Sequence, residues 1–193
     1  MSTKPPFSDT QSLKEARDIL FASIPEGVTC PCCKQYAKLY TRKLNSGMAR
    51  ALIKLAIVQQ RISPNLIERY NVFVDVSKIR LRGGDYAKLR WWKLIEQKIL
   101  REDEKEEKRD SGKWRVTRRG FDFVEGKISV SREVMIYNNQ NFGFSNDEIK
   151  IQNALSSKFN YSELMKPFHE SIQDKIKENP ITEVIKSRRG EAL

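Results

Sequence analysis

The segment from Leu94 to Val124 constrains the fold of this chain more than any other. It reads LIEQKILREDEKEEKRDSGKWRVTRRGFDFV, which has the pattern of a helix end, a strand, a highly charged turn, a returning strand and a new helix. The turn ends in Ser-Gly, and apolar and charged residues alternate on its C-terminal side, which is typical of a hairpin. We therefore predict strands over 98–102 and 113–117 with a charged tip between them.

The size of the chain sets the first limits. A length of 193 residues is enough for one good core, or for one domain with a small appendage. No apolar run approaches the ~20 residues that a membrane-spanning helix needs. The N-terminus lacks the basic-then-apolar order of a secretory signal. We expect a cytoplasmic protein that makes no membrane contact.

Charge gives the first indication of a partner. The formal net charge is +11, and no acidic residue occurs between Gly27 and Ile67. A surface that serves solubility alone usually mixes both signs, whereas a one-sided basic stretch favours a polyanion, double-stranded DNA first and RNA as another option. The basic residues in this stretch are Lys34, Lys38, Arg42, Lys43, Arg50, Lys54 and Arg61.

Periodicity and capping residues predict the order of the elements. Before the hairpin we expect helices over 11–24, 47–61 (capped by Asn45 or Ser46), 64–70 and 86–97 (capped by Asp85), and a strand over 72–76. After the hairpin we expect a helix over 118–126 capped by Thr117, a second hairpin over 127–144 turning at 138–141, and helices over 146–177 interrupted at Asn160 and Pro167.

These elements predict an α+β fold that is mainly α. The expected organisation is an N-terminal tail and helix (1–26), a cysteine knuckle (27–44), a central domain (45–126), a hairpin with C-terminal helices (127–180) and a flexible tail (181–193).

The central domain resembles a known DNA-binding fold. Leu94-Ile95, Lys98-Ile99 and the run 114–120 (WRVTRRG) are similar to the recognition-helix and wing stretch of MarR-like and PadR-like transcriptional regulators. The resemblance implies a winged helix-turn-helix over 45–126. It departs at Lys98, where those families usually have glycine before the first wing strand, and a non-glycine residue can hold the left-handed conformation at some cost.

The resemblance also implies a DNA interface. In a winged helix the third helix enters the major groove and the wing lies along the backbone. The base-edge candidates are Lys88, Arg90 and Lys93, and the phosphate candidates are Arg50, Lys54, Arg80, Arg82, Lys113, Arg115, Arg118 and Arg119. The alternative is a winged helix that docks a protein, with these cations only solvated. Because the tip at 102–110 is rich in acids, we expect the wing strands and base, rather than the tip, to contact DNA.

The three cysteines lie in one turn, Cys30-Pro31-Cys32-Cys33. Cys30 and Cys33 have the spacing with which two thiolates bind one Zn²⁺, and the turn resembles the first half of a zinc-ribbon or treble-clef knuckle. The second cysteine pair of those knuckles is missing. Either two chains share one zinc ion through Cys30 and Cys33, or the turn is a degenerate knuckle with free thiols. A redox pair is disfavoured because no βαβ pattern surrounds it.

The sequence offers few of the residue arrangements that catalysis requires. The acidic residues cluster among lysines near 102–110, and His169 is the single histidine. Nothing resembles a phosphate-cradling glycine loop or a nucleophile–base pair. We predict that the protein is not an enzyme; the alternative is a metal-dependent nuclease that uses scattered carboxylates.

The layout as a whole resembles uncharacterised phage and mobile-element proteins, through the cysteine turn, LNSGMARALIKL and FNYSELM. We expect a DNA-binding regulator of transcription or replication, dimeric because winged helices commonly read paired half-sites. The alternative is an inhibitor or accessory protein that binds a host nucleoprotein complex, such as RNA polymerase, or that acts against CRISPR or restriction systems in the host cytoplasm. Such an inhibitor should expose an apolar patch on the 127–144 hairpin or the C-terminal helices.

Overall fold

The computed structural model describes residues 10–65, 67–79, 81, 85–100 and 112–178. Its internal contacts divide the chain into two compact units. Unit 1 combines the N-terminal region up to Lys43 with Ser131–Asp147, and unit 2 combines Leu44–Val130 with the region from Glu148 onward. Helices and short strands are mixed along the chain, which confirms the α+β prediction at that level.

The elements follow one another as α1 (Leu13–Ser23), β1 (Val28–Thr29), β2 (Tyr36–Ala37), β3 (Tyr40–Lys43), α2 (Ser46–Ile62), the 3-10 helix η1 (Glu68–Asn71), β4 (Val74–Asp75), the 3-10 helices η2 (Val76–Ile79) and η3 (Asp85–Trp92), β5 (Ile95–Gln97), β6 (Lys113–Val116), α3 (Arg118–Val124), β7 (Val130–Ser131), β8 (Glu133–Tyr137), β9 (Gln140–Phe144), β10 (Glu148–Ile149), α4 (Ile151–Leu155), the 3-10 helix η4 (Ser156–Lys158) and α5 (Tyr161–Glu178).

Unit 1 begins with the predicted N-terminal helix, which forms as α1. The hydroxyl of Ser12 accepts a hydrogen bond from the backbone N–H of Glu15 (3.3 Å), and the Glu15 carboxylate accepts one from the N–H of Ser12 (2.9 Å). This capping box satisfies two N–H groups that the helix leaves without partners. No residue of α1 is buried, so the helix leaves much of its apolar surface uncovered.

The sheets of unit 1 are small. β1 pairs antiparallel with β2, and β8 lies between β3 and β9 in a three-stranded antiparallel sheet. Asn138 and Asn139 join β8 to β9 with φ angles of 44° and 59°, the positive values that a tight hairpin turn of the primed type requires. The second predicted hairpin therefore forms, but over 133–144 rather than 127–144 and with its turn at 138–139, and its strand β8 pairs with β3 from the N-terminal part of the chain.

Unit 2 is built around α2. The side chain of Asn45 accepts a hydrogen bond from the N–H of Met48 (3.0 Å), which confirms the predicted helix and one of its two cap candidates. Packing against α3, α4, α5, β6 and η3 buries most of its surface, including Leu52, Ile53 and Leu55.

A three-stranded antiparallel sheet in the order β4, β6, β5 lies against α2. Ile95 pairs with Val116 and Gln97 with Trp114, so the first strand of the predicted hairpin is wrong by three residues: it spans 95–97, not 98–102. The returning strand ends at Val116, as Thr117 caps α3. The predicted helix over 86–97 is wrong as well, because η3 ends at Trp92 and sheet pairing takes over at Ile95.

Two shorter elements also differ from the prediction. The helix expected over 64–70 is a 3-10 helix at Glu68–Asn71. The strand expected over 72–76 is limited to Val74–Asp75, because the Asp75 carboxylate accepts hydrogen bonds from the N–H (3.0 Å) and hydroxyl (2.6 Å) of Ser77 and turns the chain.

The C-terminal part is less helical at its start than predicted. β10, which pairs with β7, precedes α4, and the chain leaves helical geometry at Phe159 and Asn160 before α5. The break expected at Asn160 is confirmed. The break expected at Pro167 is wrong, because α5 continues through this residue. A proline inside a helix removes one hydrogen bond, and burial of Met165 and Phe168 beside it offsets that loss.

Buried polar side chains tie α2 to its neighbours. The Gln59 amide donates to the carbonyls of Val116 (3.1 Å) and Arg69 (2.6 Å) and accepts from the N–H of Val116 (2.6 Å). Arg69, 5% exposed, lies over the Phe121 ring at 4.3 Å and has Glu125 at 3.9 Å. Among the residues that the structure describes, none accepts a hydrogen bond from its Nε. The Gln59 hydrogen bonds thus satisfy the N–H and carbonyl of Val116 in β6, which the neighbouring strands leave without these partners.

Candidate nucleic-acid interface

The end of η3 brings one predicted site residue into an unusual conformation. Lys93 has φ +57°, its N–H donates to the carbonyl of Arg90 (2.9 Å), and the N–H of Leu94 donates to that of Leu89 (3.3 Å). This pair of bonds is a Schellman motif, in which the left-handed position is usually glycine. The non-glycine left-handed residue expected at Lys98 is thus found at Lys93.

Thr117 joins this helix end to the start of α3. Its hydroxyl accepts a hydrogen bond from the N–H of Gly120 (3.0 Å) and donates one to the carbonyl of Lys93 (2.7 Å). A Cβ on Gly120 would lie 2.1 Å from the Leu94 carbonyl oxygen, so only glycine permits this approach. The Thr-x-x-Gly pattern of the sequence therefore fixes α3 against the residues that follow η3.

This joint gathers three predicted site residues, Lys93, Arg118 and Arg119, into what we call the basic junction. All three are exposed. Within the part of the chain that the structure describes, no acidic side chain pairs with any of them. Arg118 and Arg119 occupy the first turn of α3, where the positive end of the helix dipole disfavours cations by about 0.3–1 kcal/mol each.

A second basic strip lies on α2. Arg50, Lys54 and Arg61 are exposed, whereas the positions around them are largely buried. Residues separated by four and seven positions share one helix face, so the solvent-facing strip of α2 carries three cations and no acid. Arg50 also lies over the Phe159 ring at 4.9 Å. Arg61 belongs to this strip although it is not among the predicted phosphate contacts, and its spacing from Lys54 would have revealed it.

The base-edge candidates on η3, unlike the residues of the basic junction, already form contacts within the protein. Lys88 forms an ion pair with Asp85 (2.5 Å), and the Arg90 guanidinium lies over the Trp91 ring at 4.9 Å. The adjacent Trp92 is buried. Because η3 is a 3-10 helix, its side chains do not have the spacing of an α-helical recognition surface.

The remaining candidates lie on the sheet or outside the described residues. Arg115 pairs with Glu96 on the opposite strand (2.7 Å) and lies over the Phe73 ring at 4.8 Å, so its charge is already compensated. Lys113 is exposed and opposite Asp75 in the sheet register. Arg80, Arg82 and the acidic tip at 102–110 lie outside the described residues.

The cysteine turn of unit 1 closes the β1–β2 hairpin. The N–H of Cys30 donates to the carbonyl of Gln35 (2.9 Å) and that of Lys34 to the carbonyl of Cys30 (3.0 Å), with Lys34 at φ +60°. Hydrogen bonds from the backbone of Cys33 and then of Cys32 to the Cys30 sulfur lower the pKa of that thiol. Over the described ranges, no three metal-binding side chains gather at one point.

The single histidine has no arrangement around it, among the described residues, that indicates a catalytic or metal-binding role. His169 is exposed on α5, and its ring meets that of Phe168 edge-on with centroids 5.8 Å apart. The absence of catalysis stays a prediction.

Comparisons with protein-family models, with curated proteins and with solved structures find no significant match to this chain. None of the helices in the described ranges combines the length and apolar character needed to cross a bilayer.

Proposed function

We propose that the protein binds double-stranded DNA through unit 2, with the basic junction on the phosphate backbone. The order of the central elements supports this proposal. Helix α2 is followed by η1, β4, the short helices η2 and η3, and then β5 and β6, and the last strand lies in the middle of the sheet. This order resembles that of a winged helix, in which β5 and β6 would correspond to the two strands that the wing joins.

The observation that carries the proposal is the conformational cost of the basic junction. Lys93 holds a left-handed backbone that costs a non-glycine residue about 1–2 kcal/mol, and Arg118 and Arg119 oppose a helix dipole. Neutral or acidic residues at 118 and 119, and glycine at 93, would fold better there. Three exposed cations that oppose local stability are accounted for by an anionic ligand.

Phosphate contact accounts for the type of these residues as well as their position. Arg and Lys neutralise backbone phosphates without reading sequence, and the strip of Arg50, Lys54 and Arg61 offers further contacts of the same kind. A protein with this interface would regulate transcription or replication in the cytoplasm, the host cytoplasm if it is viral.

The test is duplex DNA binding measured by fluorescence anisotropy over a range of salt concentrations. Each neutralised phosphate contributes about 0.9 to the slope of log K against log salt. Replacing Lys93, Arg118 and Arg119 together by Ala should reduce the slope by about 0.9 for each phosphate that is no longer neutralised and weaken binding at least about tenfold.

A matched control removes the same kind of charge elsewhere in unit 2. Lys150, Lys158 and Lys166 are three exposed cations on other parts of that unit, and their replacement by Ala should leave most of the slope intact. An equal reduction of the slope in both variants would mean that net charge alone drives binding. No binding at low salt would reject the proposal.

Exposed aromatic residues in unit 1 favour a second candidate, a protein-docking function. Tyr40, Phe142 and Phe144 are 49%, 40% and 41% exposed on the sheet β3–β8–β9, and Phe142 stacks with Phe21 (centroids 6.0 Å apart). This is the kind of patch that an inhibitor of a host nucleoprotein complex would expose. Its test is co-elution with a purified RNA polymerase–promoter complex, which replacement of Phe142 and Phe144 by Ser should abolish.

A further inference from the structure

The cysteine turn presents two thiols from a rigid backbone. Two backbone hydrogen bonds close it, Cys30 to Gln35 (2.9 Å) and Lys34 to Cys30 (3.0 Å), and β1 and β2 hold its ends in register. Cys30 is half-buried at the start of the turn, and Cys32 and Cys33 are exposed. Such a turn is suited to two metal–sulfur bonds.

The turn alone makes half of a metal site. Zinc in a structural site takes four ligands in a tetrahedron, and within the described residues no group of three or more potential ligands is arranged to hold a metal ion. A second copy of the chain would supply two more thiolates by the same turn. Two identical half-sites related by a twofold axis form a closed assembly.

The surface beside the turn is suited to a second copy. A cavity of about 450 Å³ lies between α1 and the turn, lined by apolar groups of Leu13, Ala16, Leu20 and Pro31 and by Cys30 and Cys32. Leu13 is 79% exposed, and α1 has no buried residue. Closing two such surfaces on each other would remove apolar area from water.

The charges of the residues beside the turn also favour a second copy of the chain. Four thiolates and one Zn²⁺ carry a net charge of −2, which is costly to bury without compensation. Lys14 and Arg17 of α1 line the same cavity, so two copies would place four cations near the site.

We propose that Cys30 and Cys33 of two copies bind one zinc ion and join the chains as a homodimer through the α1 face of unit 1. This proposal is independent of DNA binding, because it rests on the other unit.

The first test uses the full-length protein purified without chelator. Metal analysis should give half an equivalent of zinc per chain, and light scattering should give the mass of a dimer. Removing zinc with a chelator should yield the monomer, and adding Zn²⁺ should restore the dimer. Titration of the metal-free protein with Co²⁺ should give the absorption of a four-thiolate tetrahedral site, saturating at half an equivalent per chain.

Variants identify the ligands. Replacing Cys30 or Cys33 by Ser should remove the zinc and the dimer, whereas replacing Cys32 by Ser should keep both. Leu13→Glu alters a largely exposed position on which folding of the monomer does not depend, and it should weaken the dimer at least tenfold with both ligands intact.

Three results would overturn the proposal. One equivalent of zinc per monomeric chain would show that the site closes within one chain. A protein that takes up neither Zn²⁺ nor Co²⁺ when its thiols are reduced has no site. Loss of metal in Cys32→Ser with retention in Cys33→Ser would reject the assigned pair.

Discussion

The two units of this protein differ in how completely they enclose their own cores. Unit 2 buries large side chains from all of its α-helices, among them Leu52, Phe121, Ile151 and Phe168. The buried apolar residues that the structure describes in unit 1 are Ile24, Val28, Ala37 and Val134. Because hydrophobic stabilisation follows the apolar area removed from water, unit 1 has far less to hold it together.

The contrast extends to polar groups. In unit 2 the buried amide of Gln59 satisfies both backbone groups of Val116, so the core and the hydrogen bonds specify one arrangement together. In unit 1 no residue of helix α1 is fully buried, although Leu20 packs against the small core. Small domains with limited cores commonly rely on metals or on further subunits. Unit 2 therefore encloses a core of its own, whereas unit 1 leaves apolar surface that the proposed zinc-linked second copy would cover.

Among single substitutions in unit 2, we expect Gly120→Ala to destabilise the fold most. The new methyl group would meet the Leu94 carbonyl oxygen at 2.1 Å and a Val116 methyl at 2.6 Å, and backbone cannot move aside cheaply. We expect a loss of more than about 3 kcal/mol in the free energy of unfolding, measured by urea denaturation. Gly47→Ala is the matched control, because its Cβ would approach only the Asn45 side chain. It should change stability by less than about 1 kcal/mol.

Gln59→Leu should have the next largest effect on unit 2. It introduces an apolar side chain of similar size but leaves the N–H and carbonyl of Val116 and the carbonyl of Arg69 without their partner. We expect a loss of about 2–3 kcal/mol, measured in the same way. Gln152→Leu, at an exposed position, should have almost no effect, and an equal loss there would contradict the assigned role of Gln59.

Ile24→Ala tests whether the two units are stabilised separately. Ile24 is buried in the small core of unit 1, and its carbonyl accepts a hydrogen bond from Leu39 (2.8 Å). Removing its side chain should destabilise unit 1 by about 2 kcal/mol. Hydrogen exchange should then accelerate at amides of unit 1, while those of α2 and β6 keep their protection. Uniform acceleration in both units would show that they unfold together.

Lys93→Gly should have the smallest effect and the opposite sign. Glycine holds φ +57° without the steric penalty, so we expect a gain of about 0.5–1 kcal/mol in stability, reduced by the entropy of glycine in the unfolded chain. Lys93→Ala removes the same charge but keeps a Cβ, and it should not stabilise. Both variants should weaken DNA binding, whereas only Lys93→Gly should raise stability. This difference would show that the DNA contact depends on the charge of Lys93 and the stability on its backbone conformation.

Local signals in the sequence predicted the elements that local interactions determine. Asn45 and Thr117 marked helix starts, and the asparagines at 138–139 marked a hairpin turn, because caps and turns depend on side chains a few residues away. The end of the helix over 86–97 was predicted too late, since pairing of Ile95 with Val116 is a long-range interaction that periodicity does not record.

For the candidate site, too, the sequence predicted which residues take part but not how they come together. Charge identified Lys93, Arg118 and Arg119, but their convergence depends on the hydrogen bond from Thr117 to the Lys93 carbonyl, which joins residues distant in sequence. The ion pair of Arg115 with Glu96 also needed the fold, whereas the pair of Lys88 with Asp85 joins residues three positions apart. Arg69 was not singled out, because nothing in its neighbours in the sequence distinguishes a buried arginine from an exposed one.

The pairing of β3 with β8 has a consequence for how the protein is made. Lys43 lies opposite Glu133 in that ladder, so the N-terminal segment leaves the ribosome long before the strand that completes its sheet. At about 5–20 residues per second, synthesis of the intervening chain takes roughly 5–20 s. During that interval the helix and the cysteine turn would have only each other as partners. The order of synthesis thus exposes the three thiols to the cell before the sheet of their own unit exists.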